Sequence, residues 1–274
     1  MTPNRGGFAH KRPPPHKHES PNCKLHAGLS FCSATNFDLI FHSKCATLIV
    51  QKQKFMTKNE TTQHNVRWVD LIDPTPEAME TLRAEFALDN SDVRDCLTQG
   101  QRHKLTQQDS YVFMVLHFPT YNRNTRQILP SEIDVFVGKD FLLTVHDGQL
   151  AGATELFQAF QRGDLDGSSI AMTEELLDRL LNGIFPMLDH VSKDIRTVDQ
   201  GIFHGQERKM VHEILLMRRN MTEFRKIMQS HKRTIQHLTE TLQSKGWLTD
   251  PAAREKMTAA GAPPAQRRTA VSGS

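Results

Sequence analysis

The 274-residue chain predicts an α/β fold, an αβα sandwich around a mixed sheet followed by long antiparallel helices. Three observations predict it. Short apolar runs alternate with helical patterns up to about residue 165. An almost unbroken apolar stretch at Tyr111–Phe118 fits a central strand covered on both faces. From Met172 onward a seam repeats every 3.5 residues or so, a period strands cannot satisfy.

The first strand is expected at Val66–Leu71. Asp73-Pro74-Thr75-Pro76 follows, where Thr75 can cap a helix and Pro76 can occupy its first position, which needs no N–H. Met79, Leu82, Phe86 and Leu88 supply the buried stripe of that helix. A short second helix is expected to start at Asn90 or Ser91, with Asp92 and Asp95 near its positive end. Pro119 is expected to end the central strand, and Ile133–Val137 and Phe141–Val145 form a hairpin turning at Lys139-Asp140. Ala151–Phe160 is the next helix.

In the helical part, Leu177, Leu181, Ile184, Leu188, Val191, Ile195, Val198 and Ile202 alternate spacings of four and three. Ile214, Met217, Met221, Phe224, Met228, His231, Ile235, Leu238 and Leu242 do the same after a break at His204-Gly205. Two arms of an antiparallel hairpin follow from this, with an interruption near Asn182-Gly183 because Pro186 lacks an N–H. His231 sits on the seam as a hydrogen-bonded interface histidine, with metal ligation the alternative. Arg218-Arg219, Arg225-Lys226 and Lys232-Arg233 recur every seven residues as a cationic stripe facing solvent or the first arm; anionic lipid is the other partner such a stripe fits.

Composition divides the chain into a basic leader over 1–58, a sandwich domain over 59–168, a hairpin or stalk over 169–246 and a disordered tail over 247–274. The leader holds 9 Lys and Arg against 2 Asp and Glu, whereas residues 59–250 hold 21 against 28, a net −7. Such a body attracts cations and not nucleic acid. Met56 is a plausible alternative start, which would leave residues 1–55 without function. Cys23, Cys32, Cys45 and Cys96 form no CxxC pair, so neither a disulfide framework nor a zinc site from Cys23, His26, Cys32 and Cys45 is expected. His10, His16 and His18 are an equally weak metal signal. No run approaches the roughly 18 apolar residues of a membrane span, and no signal peptide is evident, so the chain as written reads as cytoplasmic. Nucleophile-elbow, dinucleotide, phosphate-loop and HExxH motifs are all missing, and His117 and His146 on strands are the one weak hint of hydrolytic metal chemistry. The chain reads as a non-enzyme.

Taken together, VRWVDLIDPTPEAMETLRAEFAL, SDVRDCLTQGQRHKL, SYVFMVLHFPTYN, EIDVFVGKDFLLTVHD and GIFPMLDHVSKDIRTVDQGIF resemble the CorA family of magnesium and cobalt transporters over roughly Val66 to Leu242. The resemblance implies a cytoplasmic funnel domain at the inner membrane, assembled as a homopentamer, that senses Mg²⁺, with Co²⁺ or Zn²⁺ as other candidate ions. Asp95 matches the carboxylate such proteins place at a cation-sensing site between subunits, and Asp92 is a weaker neighbour. Mg²⁺ keeps several waters, so one or two carboxylates per subunit suffice. The family's two membrane helices and Gly-Met-Asn pore motif do not follow Lys245, so a truncated domain is expected, contacting the membrane only through those C-terminal segments. A zinc transporter of the same superfamily and a soluble coiled-coil interaction protein are the competing readings.

Overall fold

The computed structural model describes residues 56–260 apart from 99, 166, 205, 206 and 250. Residues 1–55, including Cys23, His26, Cys32 and Cys45, lie outside the described residues.

Six strands form one sheet in the order β1-β2-β6-β5-β4-β3. They are β1 (Thr57–Gln63), β2 (Val66–Ile72), β3 (Lys104–Gln107), β4 (Tyr111–Asn122), β5 (Gln127–Gly138) and β6 (Phe141–His146). β2 and β6 run parallel and every other pair antiparallel, so the sheet is mixed. Strand alternation sends β4 side chains to opposite faces. Phe113 and Val115 join Val69, Leu71, Phe136 and Leu143 under the helices α1 (Pro76–Phe86) and α2 (Asn90–Cys96). Val112, Met114, Leu116 and Phe118 enter the larger core on the other face. That face is covered by α3 (Ala151–Gln161), α4 (Ser169–Asn182), α6 (Glu207–Met228) and α7 (His231–Ser244).

Several expectations hold at the level of single bonds. Thr75 Oγ1 accepts from the Ala78 N–H at 3.3 Å, with Pro76 as the first residue of α1. The first arm breaks at Gly183 and resumes as α5 (Phe185–Phe203), with Pro186 in its first turn, where a missing N–H costs nothing. α5 and α6 pack against each other as the two arms require.

Other elements differ. The polar stretch TKNETTQ, partly assigned to the leader, forms the edge strand β1, because its backbone completes the ladder of β2 whatever its side chains. β4 does not end at Pro119: it runs to Asn122, and Pro119 faces Pro130 of β5. Two prolines can face each other at a non-hydrogen-bonded pair of an antiparallel ladder, where neither N–H is needed. α2 starts at Asn90 as expected, but its cap is Asp89, whose carboxylate accepts from Ser91 N at 2.8 Å. The second arm also breaks, at Gln229-Ser230, and α7 turns its seam onto β3 and β4. Where a disordered tail was expected, Pro251–Ala260 forms α8, which packs on α4 and α7 and buries Met257 completely.

Candidate functional site

Asp92 and Asp95 lie one turn apart on α2, but their surroundings differ. Asp92 points into the protein and is fully buried. Its Oδ2 accepts from the Tyr111 hydroxyl at 2.9 Å and from Gln108 Nε2 at 3.2 Å. The same hydroxyl accepts from the Asp89 N–H at 2.8 Å, so Tyr111 ties the start of α2 to its carboxylate. Asp95 is partly exposed and is paired with Lys104 of β3, whose Nζ also lies 3.5 Å from Asp92 Oδ1. Burial works to lower the Lys104 ammonium, but the hydrogen bond and charge of Asp95, with those of Asp92, outweigh it and raise its pKa. Both carboxylates thus share a cation supplied by the chain itself. Lys104 gave no sequence signal, because a lysine on a short amphipathic strand is ordinarily a solvated one.

Beyond the end of α2, the layer formed by α1 and α2 stops before the strands do, and a cavity of about 760 Å³ opens on the same face of the sheet. Strand alternation fills it with His117 of β4 and Glu132 and Asp134 of β5, joined by Cys96, Asp73 and Asp147. Glu132 Oε2 accepts from His117 Nε2 at 3.0 Å and from the N–H groups of Gly100 and Gln101 at 3.0 and 3.2 Å. Asp134 is 3% exposed and its Oδ1 has no hydrogen-bond partner among the described residues. Burial, reinforced by the charge of Glu132, pushes its pKa up to about 8. Burial likewise raises the Cys96 thiol well above its ordinary value, so it is no thiolate nucleophile. Asp134 shares its face with Phe113 and Phe136, and that sharing was the available sign that a charged group had been placed in a core layer.

His117 and His146 do line one cavity. Each is engaged separately, His117 with Glu132 and His146 with buried Asp70. His146 Nε2 lies 3.0 Å from Asp70 Oδ1, which also accepts from Thr144 Oγ1 at 2.6 Å, and His146 Nδ1 accepts from the Gly148 N–H. Trp68 Nε1 donates to Thr144 Oγ1, extending the chain into the core. These bonds orient buried groups and present no nucleophile. His231 is the interface histidine that its seam position predicts: it is buried and its Nε2 donates to the His117 carbonyl at 2.5 Å. The cationic stripe of Arg218, Arg219, Arg225, Lys226, Lys232 and Arg233 is exposed.

Among the described residues, no three His, Cys, Asp or Glu side chains are arranged to hold a metal ion, and no helix is long and apolar enough to cross a membrane.

Comparison with known proteins supplies the context for this geometry. Residues 63–259 match the family described as CorA-like Mg2+ transporter protein. YfjQ of Bacillus subtilis (strain 168) is 22% identical over 191 residues, which span 67% of this chain and 59% of that protein. The cobalt/magnesium transport protein CorA of Thermotoga maritima is 24% identical over 155 residues, 56% of this chain and 42% of that protein. The chain thus spans about half the length of these two relatives. The soluble domain of CorA from Methanocaldococcus jannaschii superposes with a TM-score of 0.55 at 13% identity, covering 76% of this chain and 86% of the other. The ZntB cytoplasmic domain from Vibrio parahaemolyticus gives 0.55 at 13% identity, covering 80% and 97%.

Proposed function

This chain belongs to the CorA-like Mg2+ transporter protein family, and we propose that its α/β body is the cation-responsive, cytoplasm-facing domain of a divalent-metal transporter. The observation that carries the reading is the partly exposed Asp95 carboxylate, paired among the described residues with Lys104 beside buried Asp92. A hydrated Mg²⁺ competes well for such a group. It carries twice the charge of the ammonium, keeps most of its waters and needs one or two carboxylates. Magnesium is favoured over zinc here because both acidic donors are oxygens. Binding would release Lys104, and a carboxylate from a neighbouring copy would complete the site.

Self-association into the family's pentamer is part of the same proposal. Ile195 and Ile202 on α5, and Ile214 and Met221 on α6, stand seven residues apart in pairs and remain exposed, so the repeating seam continues beyond what one copy covers. Ion movement itself belongs to the whole transporter, through membrane segments not present in the described residues.

Limited proteolysis of the full chain over a millimolar Mg²⁺ range, with Asp95→Asn beside the natural sequence, tests the reading. Mg²⁺ is expected to slow cleavage several-fold in the natural chain and to have little effect on the variant. Equal cleavage rates with and without Mg²⁺ in the natural chain would sink it.

A further inference from the structure

Three imidazoles from three elements meet where the start of α7 crosses the sheet edge. His103 precedes β3, His117 lies on β4 and His231 opens α7. The His103 ring centroid stands 4.9 Å from that of His117 and 5.2 Å from that of His231. Each ring is engaged on one side by a group that can only accept: His231 Nε2 by the His117 carbonyl, His117 Nε2 by the Glu132 carboxylate, and His103 by the Ile227 carbonyl. A nitrogen bonded to such a group carries the proton, so in a neutral ring the other nitrogen is a bare lone pair.

For His103 and His231 that lone pair is Nδ1, and in both it is buried without a hydrogen-bond partner among the described residues. Burial, with the neighbouring imidazoles, lowers both pKa values to about 4, so both rings are neutral at physiological pH. Two buried acceptors with no donor, on rings whose centroids lie 5.2 Å apart, cost roughly 1–3 kcal/mol each unless a ligand meets them. The pattern around them is that of ligating histidines, which hand their second N–H to a carbonyl or carboxylate that fixes the ring.

We propose that His103 and His231 form a two-imidazole site for a late first-row divalent cation of the zinc class, which pins α7 to the sheet. Two imidazoles bound tetrahedrally at about 2.0–2.1 Å place their centroids ~5 Å apart, which matches the 5.2 Å separation. Imidazole nitrogen favours such ions over Mg²⁺, which wants oxygen. Among the described residues no third His, Cys, Asp or Glu completes a cluster with them, so water is needed to fill the shell. The site is independent of Asp95 and selects a different class of ion.

Calorimetric titration of the full chain with Zn²⁺ in excess Mg²⁺, beside His103→Gln and His231→Gln, tests this. One equivalent is expected to weaken by about tenfold or more in each variant, while any Zn²⁺ taken up elsewhere on the chain is unaffected. Co²⁺ in place of Zn²⁺ should show visible d–d bands that both variants lose. Identical isotherms for all three proteins would overturn the proposal. If a variant fails to fold, nitrogen NMR of the natural chain decides. Zn²⁺-induced movement of the His103 and His231 Nδ1 resonances upholds the site, and unmoved resonances overturn it.

Discussion

Asn220 of α6 completes the backbone of β5 at Ile128: its Oδ1 accepts the Ile128 N–H at 3.1 Å, while its Nδ2 donates to the Arg126 carbonyl at 2.9 Å. About two turns earlier, Glu213 pairs with the Arg126 guanidinium at 2.8 Å. Together they fasten the second helical arm to the sheet at a place where no strand continues the ladder.

Replacing Asn220 with Ala removes the partner of the buried Ile128 N–H and of the part-buried Arg126 carbonyl. The loss is expected to be about 2–3 kcal/mol, read as a lower midpoint in urea with an unchanged slope. Glu213→Gln, at a pair exposed on the arginine side, should cost well under half of that.

Asp134 carries an acid whose folded-state pKa, about 8, lies above its unfolded value. Between roughly pH 4 and pH 8 the folded state holds a proton that the unfolded state has released, so this group makes stability fall as pH rises. Asp134→Asn removes that dependence. Thermal unfolding from pH 5 to pH 9 is expected to show a flatter profile in the variant, and a higher midpoint by about 2–4 °C at pH 8.

His103 and His231 act with the opposite sign in a lower window. Their folded-state pKa values are depressed to about 4, so below about 6.5 the unfolded chain takes up protons that the folded chain does not. Their contribution is present above pH 6.5 and is lost as pH falls toward 4. Acid titration of stability in metal-free buffer is expected to be shallower for His231→Gln than for the natural chain between these limits.

Met257 is completely buried where α8 meets α4 and α7, and its sulfur lies 3.8 Å from the Thr239 hydroxyl. Met257→Ala is expected to cost about 2–4 kcal/mol through the cavity it leaves. Chemical denaturation measures it, and a change below ~0.5 kcal/mol would mean that α8 is not docked in solution.

Local chemistry was legible wherever one residue carries its own instruction. The Thr75-Pro76 helix start, the apolar run of β4, the hairpin at Lys139-Asp140 and the break before Pro186 all follow from side chains acting on their own backbone. The seam positions Leu177, Leu181, Ile235, Leu238 and Leu242 are buried as their spacing requires, whereas Ile195, Ile202, Ile214 and Met221 remain exposed on a single copy. The acidic pair on α2 was a candidate through the family resemblance alone. Its pairing with Lys104 could not be read at all, because β3 meets α2 only through the folded sheet.

The sequence by itself determined the strands β2, β4, β5 and β6 and the helices α1 to α7 in outline, since period and capping act within a few residues. The tertiary structure alone decided that a polar stretch serves as edge strand β1, that α8 docks, and that His103, His117 and His231 meet. Those outcomes depend on contacts between residues far apart in the chain. Hydrogen-bond partners and desolvation at such contacts exist only once the layers have closed.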